Sequence, residues 1–269
     1  MNPSAFDYSK AVVTPPISAA LLGSSTPVPT RNAQYEVSLA QAHELDELFA
    51  LRYDVFLAAH DAEQSTMKDM DKYDSLADHL IVKSNNRIIA TYRLLPTDRV
   101  LNAGLIPYSA NEFDLSGLLE MCDPRETVEL GRSCVHPAHR NGSVPKILWS
   151  ALAKYMIEHG RSDAFGSVSV FNANHCQAVG LVEYFRDQGA WSETIQCPAL
   201  VPVHSNSPAR KEELKTVVPP LLRSYLMLGA KLYGGPSHDP VFRSHDFLIH
   251  FSTKTMSDRC RRSFFSSLG

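Results

Sequence analysis

A chain of 269 residues, 44% hydrophobic and 20% charged, is long enough for one large domain or two small ones and apolar enough to build a core. A formal charge of −3 provides no polycation to answer a nucleic-acid backbone. The five cysteines, at 122, 134, 176, 197 and 260, are odd in number and lack CxxC spacing, which argues against a disulfide framework and a zinc site.

No apolar run reaches the roughly 20 residues a spanning helix needs. Asp7, Lys10, Pro15 and Pro16 spoil a secretory signal, so a cytoplasmic protein is expected. Residues 1–33, rich in Ser, Thr, Pro and Ala, are predicted to be a flexible tail. A strand follows at Tyr35–Leu39. From Gln41 to about His60, Leu45, Leu48, Phe49, Val55 and Phe56 recur at helical steps, with Arg52 inside the apolar stripe. An acidic stretch leads to strands Leu80–Lys83 and Arg87–Leu95, joined by the hairpin residues Ser84-Asn85-Asn86. A short helix near Leu115–Leu119 precedes a strand over Thr127–Val135. Pro137 ends that strand, and a helix capped by Ser143 runs to His159. Strand Ala164–Phe171, helix Cys176–Gln188, a short helix after Pro219-Pro220 and strand Phe247–Phe251 complete a domain over 34–255. Residues 256–269 form a basic-aromatic end. The order predicts an α/β (α+β) fold, a mixed central sheet flanked by helices.

Charges embedded in apolar patterns are the candidate chemistry. Arg52 either pairs with an anion or snorkels out at the stripe's edge. Asp69, Asp71, Asp74 and Asp78 are candidate partners, and the same acids could hold the ammonium group of an acceptor. Arg93 ends the second hairpin strand. Glu129 and Arg132 lie in a strand otherwise made of Val128, Leu130, Cys134 and Val135. Residues three apart in a regular strand point to opposite faces, so a shared site requires a bulge at Gly131. A carboxylate there suits a general base and an arginine suits an acceptor carboxylate, whereas a structural Glu–Arg pair is the competing reading. Arg140-Asn141-Gly142-Ser143 is a weak anion-binding turn ahead of a helix. His136, His139, His159 and His175 have no ligand spacing with acids, and no metal is expected. GxSxG, HExxH, Walker and GxGxxG patterns are absent.

These elements resemble the GCN5-related N-acetyltransferase (GNAT) superfamily, with its pyrophosphate turn degenerate at Arg140-Asn141-Gly142-Ser143-Val144-Pro145. Arg52 with Phe56, Asp71 with Asp74, Arg93, and Glu129 with Arg132 resemble the acyl-homoserine-lactone synthases, although the expected tryptophan after Phe56 is missing. Closer still is the likeness to the ornithine lipid synthases and related N-acyl amino acid synthases. It rests on Leu51–Phe56, Asp71-Lys72-Tyr73-Asp74, Thr91–Leu95, Glu129–Pro137 and Pro219–Leu226 through Gly229, Asp239, Phe242 and Asp246-Phe247.

That resemblance implies a GNAT-like fold and transfer of a long-chain (hydroxy)acyl group from acyl carrier protein to the α-amino group of ornithine, or of glycine or tyrosine. Acyl-CoA is a possible donor, and no cofactor is needed. By the same resemblance Glu129 and Arg132 would be catalytic. Arg52, Phe56, Asp71, Asp74, Arg93 and Ser133 would bind substrate, and Arg140, Gly142 and Ser143 would meet the donor carrier. Partners would be acyl carrier protein and a small amino acid, with peripheral contact to the inner membrane face possible and no nucleic acid. A signal synthase using S-adenosylmethionine and a non-catalytic acyl- or carrier-binding module are the alternatives.

Overall fold

A computed structural model describes residues 34–57, 66–140, 142–240 and 242–265. The expected N-terminal tail and the segment from 58 to 65 lie outside the described residues. Seven strands form one sheet in the order β1-β2-β3-β4-β5-β7-β6. They are β1 (Glu36–Leu39), β2 (Asp78–Ser84), β3 (Arg87–Pro96), β4 (Thr127–Val135), β5 (Asp163–Phe171), β6 (Lys231–Asp239) and β7 (Ser244–Ser252). Neighbours are antiparallel except β4 and β5, which run parallel across the helical crossover between them.

Alternation along β2 assigns the two faces. Leu80 and Val82 join Tyr92, Leu94, Val128 and Leu130 in the main core, covered by α4 (Ser143–Glu158). Ile81 faces the other way, with Ile88 and Cys134, against Leu48, Phe49 and Leu51 of α1 (Leu45–Arg52), which continues as a π-helical turn over Tyr53–Leu57. The β2–β3 hairpin turns through Asn85 and Asn86 at φ of 48° and 59°, the left-handed pair that a two-residue turn demands. Gly142, at φ 89°, occupies the N-cap of α4, so Ser143 is its first residue rather than its cap. The short helices α2 (Thr97–Asn102) and α3 (Ser116–Met121) fill the connection between β3 and β4. After β5, α5 (His175–Asp187) carries a capping box between Asn174 and Gln177. Helices α6 (Lys211–Leu214) and α7 (Pro220–Met227) follow, the latter closed at Gly229 with φ 89°.

Four elements depart from the sequence expectation, the short helices α2 and α6 among them. β6 contains Gly234-Gly235-Pro236, turn chemistry that masks a strand, and its register skips on both sides of Gly234. The basic-aromatic end forms α8 (Asp258–Phe265), because Phe264 buries against Trp149 and Phe251. Burying such a ring contributes about 1.5–3 kcal/mol, enough to organise one short helix.

Candidate active site

The embedded charges meet in one buried network of three arginines and three aspartates. Arg52 is fully buried, so it does not snorkel; its Nε donates to Asp69 at 2.9 Å and its Nη1 to Asp74 at 2.6 Å. Arg93 donates from Nη1 to both oxygens of Asp71, at 2.9 and 2.8 Å, and to Asp74 at 3.3 Å. Arg132 donates from Nε to Asp69 at 3.0 Å, with Nη2 3.7 Å from Asp71. Three charges of each sign compensate one another, as burial requires. Burial alone would lift the Asp69 carboxyl, but Arg132 and Arg52 outweigh it and hold it below the usual range. Arg93 and Arg132 do the same for Asp71. Asp71 and Asp74 are therefore committed to the arginines in this structure. Asp78 lies apart, with Arg99 and Tyr155.

Glu129 and Arg132 share a face. Thr91 pairs with Cys134 and Arg93 with Gly131, so two residues of β4, Arg132 and Ser133, oppose Tyr92 alone. This is a β-bulge, one residue later than the expected position at Gly131. Arg132 adopts φ 51°, a left-handed conformation that costs a non-glycine residue about 1–2 kcal/mol. Both charges reach the loop before α3. Glu129 accepts from Tyr108 N at 2.7 Å and from Ser109 N and Oγ at 2.6 Å each. Arg132 donates from both Nη atoms to the Tyr108 hydroxyl at 3.3 Å, and its guanidinium lies 4.9 Å from that ring's centroid. Burial pushes the Glu129 carboxyl up, and the bonds from Ser109 and Tyr108 offset this only in part.

A cavity opens where β4 and β5 part. Their pairing covers only Thr127–Glu129 against Asp163–Phe165, and Gly166 lets the Leu130 carbonyl approach the backbone closely. Beyond that point Leu130–Ser133 and Ser167–Ser169 line opposite sides of a cavity of about 220 Å³. Phe56, Tyr92, Leu221 and Tyr225 add apolar and aromatic wall, the Tyr92 and Tyr225 hydroxyls bonding to each other. Of the expected site residues, Phe56, Arg132 and Ser133 line this cavity, and Arg52, Asp71, Asp74 and Arg93 support its wall from behind. Arg140, Gly142 and Ser143 do not line it. Arg140 folds back onto the Val135 carbonyl at 3.0 Å.

Three further carboxylates, Glu112, Asp239 and Asp246, line the cavity with their oxygens within 4.8 Å of one another. Ser167 donates to Glu112 and Ser244 to Asp246, each at 2.9 Å. Burial, reinforced by Asp246, pushes the Glu112 carboxyl up to about 8, and burial likewise raises Asp246. The alternation Ser167-Val168-Ser169 in an otherwise apolar strand was the available sequence signal for this polar side. Glu112 and Tyr108-Ser109, in an irregular connection, gave none.

A bulged central strand, a parallel pair splayed into a cavity and a buried acid beside it define an acyltransferase of the GNAT class. The Acetyltransferase (GNAT) domain model matches residues 51–150. L-ornithine N(alpha)-acyltransferase of Rhizobium meliloti is 32% identical over 85% of this chain and 83% of its own length. The enzyme of that name from Agrobacterium fabrum is 33% identical over 80% of each. The chain belongs to this family of N-acyltransferases. Among solved structures, the CoA-dependent acyl-homoserine lactone synthase BjaI, with SAM and isopentyl-CoA, superposes at TM-score 0.50 and 13% identity over 84% of this chain and 82% of its own, a likeness of fold.

Proposed function

We propose that this protein moves a long-chain acyl or hydroxyacyl group from acyl carrier protein to the α-amino group of ornithine. One observation carries the reading: a single cavity combines an apolar, aromatic wall with three converging carboxylates. The wall suits an acyl chain. The carboxylates suit an acceptor with a second ammonium group, whose charge would offset the burial and the acidic neighbours that together lift Glu112. Relatives named for ornithine support the same acceptor.

The amine nitrogen attacks the thioester carbon, the tetrahedral oxyanion collapses and the carrier thiol departs. Arg132, held by Asp69 and Tyr108, presents a guanidinium on the cavity wall for the acceptor carboxylate. The departure of Arg140-Asn141-Gly142-Ser143 from the pyrophosphate-binding pattern favours a carrier protein over coenzyme A. Among the described residues no helix is long and apolar enough to cross a membrane. The exposed Arg259, Arg261 and Arg262 of α8 would serve peripheral contact with an anionic membrane, where an acylated product partitions.

Purified protein incubated with long-chain acyl carrier protein and ornithine should release free carrier thiol and form N-acylornithine by mass spectrometry. A lactone product, or acyl retention without turnover, would overturn the reading.

A further inference from the structure

The buried acid of β4 has no direct route to a substrate. Glu129 is 3% exposed and absent from the cavity wall, and both its oxygens are occupied. Oε2 accepts from the backbone of Tyr108, and Oε1 from the backbone and the hydroxyl of Ser109. Of these three donors, two are amide N–H groups, which do not exchange a proton for another during a reaction. The third is a hydroxyl, which accepts one proton as it donates its own. Ser109 also lines the cavity. Arg93 and Tyr73 act on Glu129 through their charges and dipoles. Arg93 cannot take up a proton, and burial keeps the Tyr73 phenol in its neutral form.

We infer that Ser109 is a catalytic residue, the proton conduit between the acceptor amine and Glu129. This rests on the acyl-transfer reading above. As the amine nitrogen bonds to the thioester carbon, its excess proton passes to Ser109 Oγ and the Ser109 hydroxyl proton passes to Glu129 Oε1. The oxyanion then collapses, the C–S bond breaks, and the proton returns through the same hydroxyl to the departing thiolate. The sum is one amide and one thiol from one amine and one thioester.

Ser109→Ala removes the conduit and keeps both main-chain N–H anchors, so the loop retains its tie to β4. Acyl transfer from acyl carrier protein to ornithine should fall in kcat by about a hundredfold or more, the scale of general-base catalysis. KM for ornithine should stay within about twofold, since no acceptor-binding group is lost. Ser109→Thr, which restores a hydroxyl, should recover most of the rate. A purely structural serine predicts the opposite: a lower melting temperature in both variants, with kcat preserved. If wild-type protein turns over and Ser109→Ala retains half its kcat, or Thr fails to rescue a folded protein, the conduit falls and the transfer reading stands. If folded wild-type protein transfers no acyl group to ornithine, that reading falls and takes the conduit with it.

Discussion

Glu129 and Arg132 hold the same residue from two sides: the carboxylate accepts the Tyr108 N–H at 2.7 Å, and the guanidinium reaches the Tyr108 hydroxyl at 3.3 Å. The bulge at Arg132–Ser133 makes this possible, since a regular strand would send the two side chains to opposite faces. Tyr108→Phe cuts the arginine half and leaves the carboxylate half. It should cost about 1 kcal/mol of stability and lower turnover, because Arg132 loses the hydroxyl while keeping Asp69 and the aromatic ring. Urea unfolding read beside the acyl-transfer rate checks this; an unchanged midpoint would show that the pair contributes no stability.

The arginine–aspartate network stands or falls as a unit. Arg52 has no exposed surface and serves Asp69 and Asp74 at once. Arg52→Ala leaves Asp69 only Arg132 and Asp74 only Arg93, so the buried network carries one uncompensated negative charge, and the fold should lose about 3–5 kcal/mol. Arg52→Lys should recover little of that, because a single ammonium cannot reproduce the guanidinium fork. Chemical denaturation of both variants measures the difference.

Acid should weaken the fold before the aspartates titrate. Burial pushes His79 down from 6.5 to about 4, and its Nε2, 3.3 Å from the Asp74 carbonyl, serves as the donor. Burial sets His245 at about 4 as well. A folded value below the unfolded one means that the unfolded chain binds more protons between these limits. The contribution is therefore complete above pH 6.5 and is lost as pH falls toward 4. The unfolding free energy should fall across that window. His79→Asn should flatten the slope by about 1.4 kcal/mol per pH unit, the value of one proton.

Local chemistry reveals much of this fold from the sequence and less of the site. The Asn85-Asn86 turn, the Pro137 stop and the apolar stripe of α4 mark their elements directly. The charges inside apolar patterns, Arg52, Arg93, Glu129 and Arg132, do converge. Which aspartate meets which arginine depends on a loop folding back over α1, tied by Asp69 N to the Phe49 carbonyl at 3.1 Å, and no local pattern encodes that. The bulge is displaced by one residue because Arg132, rather than Gly131, takes the left-handed conformation. Glu112, Asp239 and Asp246 come from an irregular connection and two late strands, so only the folded sheet brings them together.

Gly166 sets the opening between β4 and β5. A Cβ at this position would collide with the Leu130 carbonyl oxygen, which is backbone and cannot step aside as a side chain would. Gly166→Ala should shift the strands at the point where their pairing ends, at a cost of about 1–3 kcal/mol. Melting temperature and acyl transfer should fall together. A variant with native turnover would separate the cavity from the reaction.

The carboxylate cluster makes a prediction about acceptor choice and its pH dependence. Ornithine and norvaline share an α-amine and a three-carbon stem, and differ by the terminal ammonium. If Glu112, Asp239 and Asp246 hold that ammonium, ornithine should be favoured over norvaline in kcat/KM by on the order of a hundredfold, typical of a charged group bonded to buried partners. Asp246→Asn and Asp239→Asn should each erase about tenfold or more of the ratio, which a general loss of activity would leave unchanged. The Glu112 carboxyl, raised to about 8 by burial and by its acidic neighbours, is protonated at neutral pH in the free cavity. An ammonium ligand favours its ionised form, so the preference for ornithine should rise as pH climbs through about 8. Titration of the two nucleophiles is the same in wild-type protein and in Glu112→Gln, so comparing the ratio between the two proteins isolates the contribution of Glu112. In Glu112→Gln the ratio should lose this pH dependence. A cluster that held a divalent cation instead would repel the ammonium, so the ratio would rise with EDTA and fall with magnesium, and one with neither role would leave the ratio unmoved in all three variants.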